Sequence, residues 1–187
     1  KTVPHGKKRT HIRFRPKSEQ TRRLLLEALA NAGSPLENYL EDLEKKTLDK
    51  VVKCFQGWHV RQGDEVIVQG QRIGEASCGL YVVESGEFNA HKHAEGEEYP
   101  GNVVKRYQRG DTFGELAVLY GDPRKASIVA QTDGHVWSID RHSISFLKTQ
   151  CMENRRKRYE ELILKVPFLR KLGKDERAQV VDSLKPL

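Results

Sequence analysis

The sequence predicts an α+β fold: an antiparallel β-barrel or jelly roll flanked by N-terminal helices and a long C-terminal helix. Three observations carry this. Apolar side chains within residues 18–57 recur at helical spacing. From Trp58 the period shortens to that of strands, and glycine-containing turns punctuate it at short intervals. After Asp140 the helical period returns. A chain of 187 residues, 37% of them hydrophobic, is long enough to bury a sizeable core.

Residues 1–17 are basic, with prolines at 4 and 16, and read as a flexible tail. Lys7-Lys8-Arg9-Thr10 within it resembles a basophilic kinase substrate site as well as an ordinary charged tail. Residues 18–57 read as a helical subdomain. Ser18 is placed to cap a helix running to about Ala32, with Leu24, Leu25, Ala28 and Leu29 on one face and Gly33 as its stop. Ser34-Pro35-Leu36-Glu37 is a capping box that starts a short second helix. Leu48, Val51, Val52 and Phe55 then mark a third, expected to end near Gly57.

Residues 58–140 carry the strand signals. The β-prone runs are 65–69, 80–83, 87–91, 103–107, 127–130 and 135–139. Gln62-Gly63-Asp64, Gln69-Gly70, Ser85-Gly86, Pro100-Gly101, Arg109-Gly110-Asp111 and Asp133-Gly134 are the turns between them. The polar insert 94–101 reads as a loose hairpin tip. Asp140 is placed to cap a helix over 141–165, with Ile144, Leu147, Cys151, Tyr159, Leu162, Ile163 and Val166 as its apolar stripe. Pro167 breaks it, and a further helix is expected over 175–184.

The formal charge of +7 favours acidic partners or anionic ligands, much of the excess lying in 7–23 and 155–158. No groove-reading motif accompanies it, so nucleic acid is not the expected partner. No apolar run is long enough for a membrane span, and the first residues lack the apolar core of a secretion signal. Three cysteines without CxxC or CxxH spacing (Cys54, Cys78, Cys151) fit a reducing, cytoplasmic setting. His91-Lys92-His93 has the spacing of two metal ligands but no third nearby, and no metal site is expected. No nucleophile–base–orienter set is present, so the chain reads as a binding module rather than an enzyme.

The chemistry concentrates in 113–127, Phe-Gly-Glu-Leu-Ala-Val-Leu-Tyr-Gly-Asp-Pro-Arg-Lys-Ala-Ser. Gly114 to Ala117 would open one helical turn whose first N–H groups lack partners within it. Arg124 offers a planar fork suited to two phosphate oxygens, and the N–H groups around Lys125 and Ala126 would complete a cradle. A carboxylate beside such a cradle needs a task of its own. Glu115 is suited to a ribose 2′-hydroxyl, which 3′,5′-cyclisation leaves free. An arginine–glutamate pair that merely pins a surface loop fits the same spacing equally well.

Residues 113–127 resemble the phosphate-binding cassette of eukaryotic cyclic-nucleotide-binding domains. Gly79-Leu80-Tyr81-Val82-Val83-Glu84-Ser85-Gly86-Glu87 resembles the family's barrel hairpin. Val136-Trp137-Ser138-Ile139-Asp140-Arg141 resembles the strand entering its hinge helix. Arg156 to Leu162, followed by Val166-Pro167-Phe168-Leu169, is similar to the linker of cAMP-dependent protein kinase regulatory subunits, and the first tandem domain of such a subunit is the nearest likeness. The resemblance implies a cyclic-nucleotide-binding fold with its cassette at 113–127, a hinge helix at 141–165 and the start of a second such domain at 166–187. It implies ligand contacts at Phe113, Gly114, Glu115, Leu116, Ala117, Arg124, Lys125, Ala126 and Ser127, with Glu115 on the 2′-hydroxyl and Arg124 on the exocyclic phosphate oxygens. The implied ligand is cAMP first and cGMP second, with no cofactor. The implied partner is a kinase catalytic subunit or kinase domain, released from inhibition when ligand shifts the hinge helix. Lys125 stands where cAMP-selective relatives often carry alanine and cGMP-selective ones threonine. Asp175 falls where a purine-capping tryptophan would align. The alternatives are a domain of a cGMP-dependent protein kinase, a channel or exchange-factor module, a DNA-binding regulator on the same barrel, and a diverged site for another purine nucleoside or nucleotide.

Overall fold

The computed structural model describes residues 16–30, 45–72, 78–94 and 101–184. Among these residues eight strands form two antiparallel four-stranded sheets. One has the order β1-β8-β3-β6 and the other β2-β7-β4-β5. The strands are β1 (Gln56–Val60), β2 (Glu65–Ile67), β3 (Cys78–Ser85), β4 (Phe88–Lys92), β5 (Asn102–Tyr107), β6 (Thr112–Phe113), β7 (Ser127–Ala130) and β8 (Gly134–Asp140). The helices are α1 (Glu19–Ala30), α2 (Lys45–Cys54), α3 (Glu115–Tyr120), α4 (Arg141–Lys165) and α5 (Lys174–Ser183), with a 3-10 turn at Leu169–Lys171. The predicted α+β architecture is therefore present, and α3 lies between β6 and β7 as expected. The basic tail up to residue 15, the capping box at Ser34 and most of the 94–101 insert lie outside the described residues.

Two apolar layers hold these parts together, and the two-residue period of β3 separates them. Leu80 and Val82 face outward onto a layer containing Leu25, Ala28 and Leu29 of α1, Val51 and Val52 of α2, Phe55, and Ile144 and Cys151 of α4. Tyr81 and Val83 face inward, with Phe88, Phe113, Ile128 and Val136, to fill the space between the sheets. A strand buried on both faces must be apolar at every position, which explains the Leu-Tyr-Val-Val run. Strand β8 alternates likewise: Val136 belongs to the inner layer and Ile139 to the outer.

The expected caps are formed. The Ser18 hydroxyl accepts from the Thr21 N–H at 3.1 Å, and Asp140 Oδ1 accepts from the Ser143 N–H at 2.7 Å. Each satisfies a donor that the helix itself leaves open. Gly63 and Gly86 adopt φ of 83° and 89°, as their turns require.

Three expectations need correction. The helix expected to reach Gly57 ends at Cys54, because Gln56 and Gly57 pair with Ser138 and Trp137 as the start of β1. Gly134 is no turn residue but the first residue of β8; a Cβ there would run into the Ser85 carbonyl of β3. Leu162, assigned to the buried stripe of α4, is 48% exposed, whereas its neighbour Ile163 is buried together with Val181 of α5. Beyond Val166 the chain turns back through the 3-10 turn so that α5 packs on α4.

Candidate functional site

A cavity of about 230 Å³ opens between the second sheet and α3. Ile67 of β2, Ala90 of β4 and Ile128 of β7 form its apolar floor, and Val104, Lys105 and Tyr107 of β5 form one wall. Gly114, Glu115, Leu116 and Ala117 border it at the start of α3, and Arg124, Lys125 and Ala126 close it on the approach to β7.

Arg124 is the unusual residue. It is only 7% exposed, and a guanidinium that deep must be held by acceptors. Its Nη1 donates to the Gly79 carbonyl at 3.1 Å and to the Gly114 carbonyl at 2.6 Å. Its backbone is fixed at both ends: its N–H donates to the Gln71 carbonyl at 2.9 Å and its carbonyl accepts from the Gly70 N–H at 2.8 Å. Gly114 has φ of 87°, and a Cβ there would sit 2.8 Å from Arg124 Nη1. Both the turn and the arginine's approach therefore require glycine.

Glu115 is the first residue of α3, half-buried on the same cavity wall. Burial, then the Glu115 and Asp111 carboxylates, push the Tyr107 phenol up to about 12. That hydroxyl therefore stays neutral at physiological pH. Lys125 is 64% exposed and pairs with Asp122 at 3.2 Å.

Seven of the nine residues singled out in the sequence, Gly114, Glu115, Leu116, Ala117, Arg124, Lys125 and Ala126, border this one cavity. The other two stand behind it. Phe113 is fully buried, with its ring stacked on Tyr81 at 5.1 Å and tilted against Phe88 at 5.8 Å. Its place is in the inner core. Ser127 is buried too, and its hydroxyl accepts from the Gln69 N–H at 3.0 Å, tying β7 to the end of β2. Sequence reasoning missed the floor and the β5 wall, because these residues converge only through strand pairing.

His91 is buried with Nδ1 3.3 Å from the Gly101 carbonyl, and the His93 N–H donates to Gln69 Oε1. Among the described residues no group of three His, Cys, Asp or Glu side chains could hold a metal ion. None of the described helices is long and apolar enough to cross a membrane.

Residues 58–150 match the cyclic nucleotide-binding domain family. The chain is also 31% identical over 172 residues to the cAMP-dependent protein kinase type II regulatory subunit of Drosophila melanogaster. Through residues 58–150 the chain belongs to the cyclic nucleotide-binding domain family. The alignment with the fly protein covers 90% of this chain and 41% of that protein, so the chain spans less than half of its relative. A cAMP-bound structure of PfPKA-R is 31% identical and has a TM-score of 0.61, covering 92% of this chain and 57% of that one. The regulatory subunit of a cAMP-independent protein kinase A from Trypanosoma cruzi, solved bound to guanosine, is 25% identical with a TM-score of 0.59; the match covers 95% of this chain and 58% of that one. The fly and Trypanosoma cruzi proteins are regulatory subunits of protein kinases.

Proposed function

We propose that the cavity between α3 and the second sheet binds a 3′,5′-cyclic nucleotide. One observation carries the proposal: a deeply buried guanidinium and a carboxylate border a single small cavity whose floor is apolar. Arg124 takes the exocyclic phosphate oxygens through its planar fork. Glu115 accepts the 2′-hydroxyl. Backbone groups of Gly114, Lys125 and Ala126 lie within reach of the cyclised sugar phosphate, and the purine rests on Ile67, Ala90 and Ile128. Phe113 and Ser127 act from behind, by holding β6 and β7 in place. The cAMP in PfPKA-R supports this reading. The guanosine-bound relative favours a second one, a neutral purine nucleoside. A buried arginine on the cavity wall weighs for an anionic ligand.

The proposed role is regulatory and non-catalytic, of the cAMP-dependent protein kinase regulatory subunit type. Residues 58–140 are the ligand-binding barrel, 141–165 the hinge helix and 166–187 the start of a second nucleotide-binding domain. Arg141 opens α4 beside the end of α3: its Nη2 lies 3.9 Å from where a Cβ would sit on Gly121. Ile144 and Cys151 seat the same helix on the outer core. A ligand that prefers one seating of α4 shifts the equilibrium by its differential affinity for the two states. In this reading the unliganded state inhibits a kinase catalytic subunit, or a kinase domain on the same chain if the protein is of the cGMP-dependent type. The thiols of Cys54 and Cys151, neither of them in a disulfide, suit a cytoplasmic setting.

Glu115→Gln tests the assignment. It is expected to weaken cAMP and cGMP by about 1–1.5 kcal/mol, the difference between a hydrogen bond to a charged acceptor and one to a neutral amide oxygen. The 2′-deoxy analogues should lose much less. Titration calorimetry giving equal losses for the ribose and deoxyribose forms contradicts the role.

A further inference from the structure

Gln69 follows the end of β2 and is not among the residues that border the cavity. Its side chain makes two hydrogen bonds to one distant residue. The His93 N–H donates to Gln69 Oε1 at 2.9 Å, and Gln69 Nε2 donates to the His93 carbonyl at 2.7 Å. Residues on neighbouring strands exchange bonds in this way, so the amide stands in for a strand partner just past the end of β4. Only a side chain with a donor and an acceptor side by side can do this. The backbone N–H of Gln69 donates to the hydroxyl of Ser127, the first residue of β7. One residue therefore ties together the adjoining ends of β2, β4 and β7. The next two residues grip Arg124. The Gln71 N–H donates to the Val68 carbonyl at 3.3 Å and closes a turn in which Gly70 adopts φ of 79°. From that turn the Gly70 N–H donates to the Arg124 carbonyl, and the Gln71 carbonyl accepts from the Arg124 N–H. With its backbone held there and its tip held by the Gly79 and Gly114 carbonyls, the Arg124 side chain keeps few rotamers.

Resting on the cyclic-nucleotide reading of this cavity, we infer that Gln69 is a positioning residue: it fixes the turn that aims the Arg124 guanidinium at the ligand's phosphate, and it touches no ligand itself. A planar fork recognises two phosphate oxygens only from a defined place and orientation. A binding constellation works when the hydrogen bonds behind it hold its groups to within about 0.5 Å. Removing the Gln69 amide takes away the partner of the His93 N–H and carbonyl, and it releases the turn at 68–71. Arg124 then shifts with the turn, because its backbone is bonded to Gly70 and Gln71. A glutamine that merely stabilised the strand ends would change the unfolding midpoint and leave the guanidinium where it is.

The test compares the wild-type chain, Gln69→Leu and Gly63→Ala. Gly63→Ala is the stability control, a change in a turn that does not border the cavity. In titration calorimetry the affinities for cAMP and cGMP should fall about tenfold in Gln69→Leu, within the coupling shown by residues of one hydrogen-bond network. In Gly63→Ala they should stay within about twofold of wild type, as for independent sites. Proton–nitrogen correlation spectra of the unliganded chain supply the second readout. The Arg124 side-chain N–H signal, assigned by its loss in Arg124→Lys, should move in Gln69→Leu and hold its place in Gly63→Ala. Should Gln69→Leu fail to fold, Gln69→Glu carries the same test, because it keeps the acceptor for the His93 N–H and loses the donor to the carbonyl. Unchanged affinity in the folded variant, equal losses in variant and control, or an Arg124 signal that does not move overturns the inference and leaves the site reading standing. If the wild-type chain binds neither nucleotide, the site reading fails and the inference fails with it.

Discussion

Arg124→Ala is expected to weaken cyclic nucleotide binding by at least about 2–4 kcal/mol, the scale of a lost charge-assisted phosphate pair. The effect reaches beyond the missing phosphate contact. Arg124 Nη1 holds the Gly79 and Gly114 carbonyls together, so the truncation leaves acceptors at the start of β3 and the start of α3 without their donor. A lost partner in a buried setting costs about 1–3 kcal/mol, and thermal unfolding of the unliganded variant should register it. Arg124→Lys keeps a charge but loses the planar fork. It should recover part of the affinity and less of the stability. Unchanged affinity in Arg124→Ala by calorimetry would remove the arginine from the site.

Gly114→Ala is expected to be the second most damaging change, for two separable reasons. A left-handed backbone at φ of 87° costs an alanine about 1–2 kcal/mol. The added Cβ would also meet Arg124 Nη1 at 2.8 Å, the Gly79 carbonyl oxygen at 3.0 Å and Ile67 Cδ1 at 3.0 Å. Two of those three neighbours border the cavity, so relief of the contact displaces either the guanidinium or the floor. Gly63→Ala is the matched control: its φ is 83°, but nothing lies within 4 Å of the added carbon. Both variants should lose stability in denaturant unfolding. Gly114→Ala should lose more and should also lose nucleotide affinity, which Gly63→Ala should retain. Equal behaviour of the two in both assays would contradict the close approach of Arg124 to Gly114.

Much of the fold was legible because its determinants are local. The capping side chains of Ser18 and Asp140, the buried faces of α1 and α2, and the strand runs from 65 to 139 each follow from spacing within a few residues. The errors arise where a distant strand decides. Gln56 and Gly57 follow a helical stretch, and only pairing with β8 makes them a strand. Gly134 resembles a turn glycine, yet the Ser85 carbonyl sets its need for a missing side chain. The site divides the same way. The residues of 114–126 that border the cavity fall in two short runs, 114–117 and 124–126, close enough in sequence to be visible as a group. Ala90, Lys105 and Tyr107 converge through the pairing of β4 with β5, which no local pattern announces. Phe113 and Ser127 belong to the same stretch but serve the core and the β2–β7 junction, because a motif records residues that build a site alongside those that border it.

The most direct measurement is titration calorimetry of the purified chain with cAMP, cGMP and guanosine, paired with thermal unfolding at rising ligand concentration. The account predicts saturable binding of a cyclic nucleotide, weaker binding of guanosine, and a midpoint that climbs with the logarithm of nucleotide concentration. No saturable heat and no rise in midpoint with either cyclic nucleotide at concentrations on the order of 1 mM, where even a binder of about −4.1 kcal/mol would register, would contradict it.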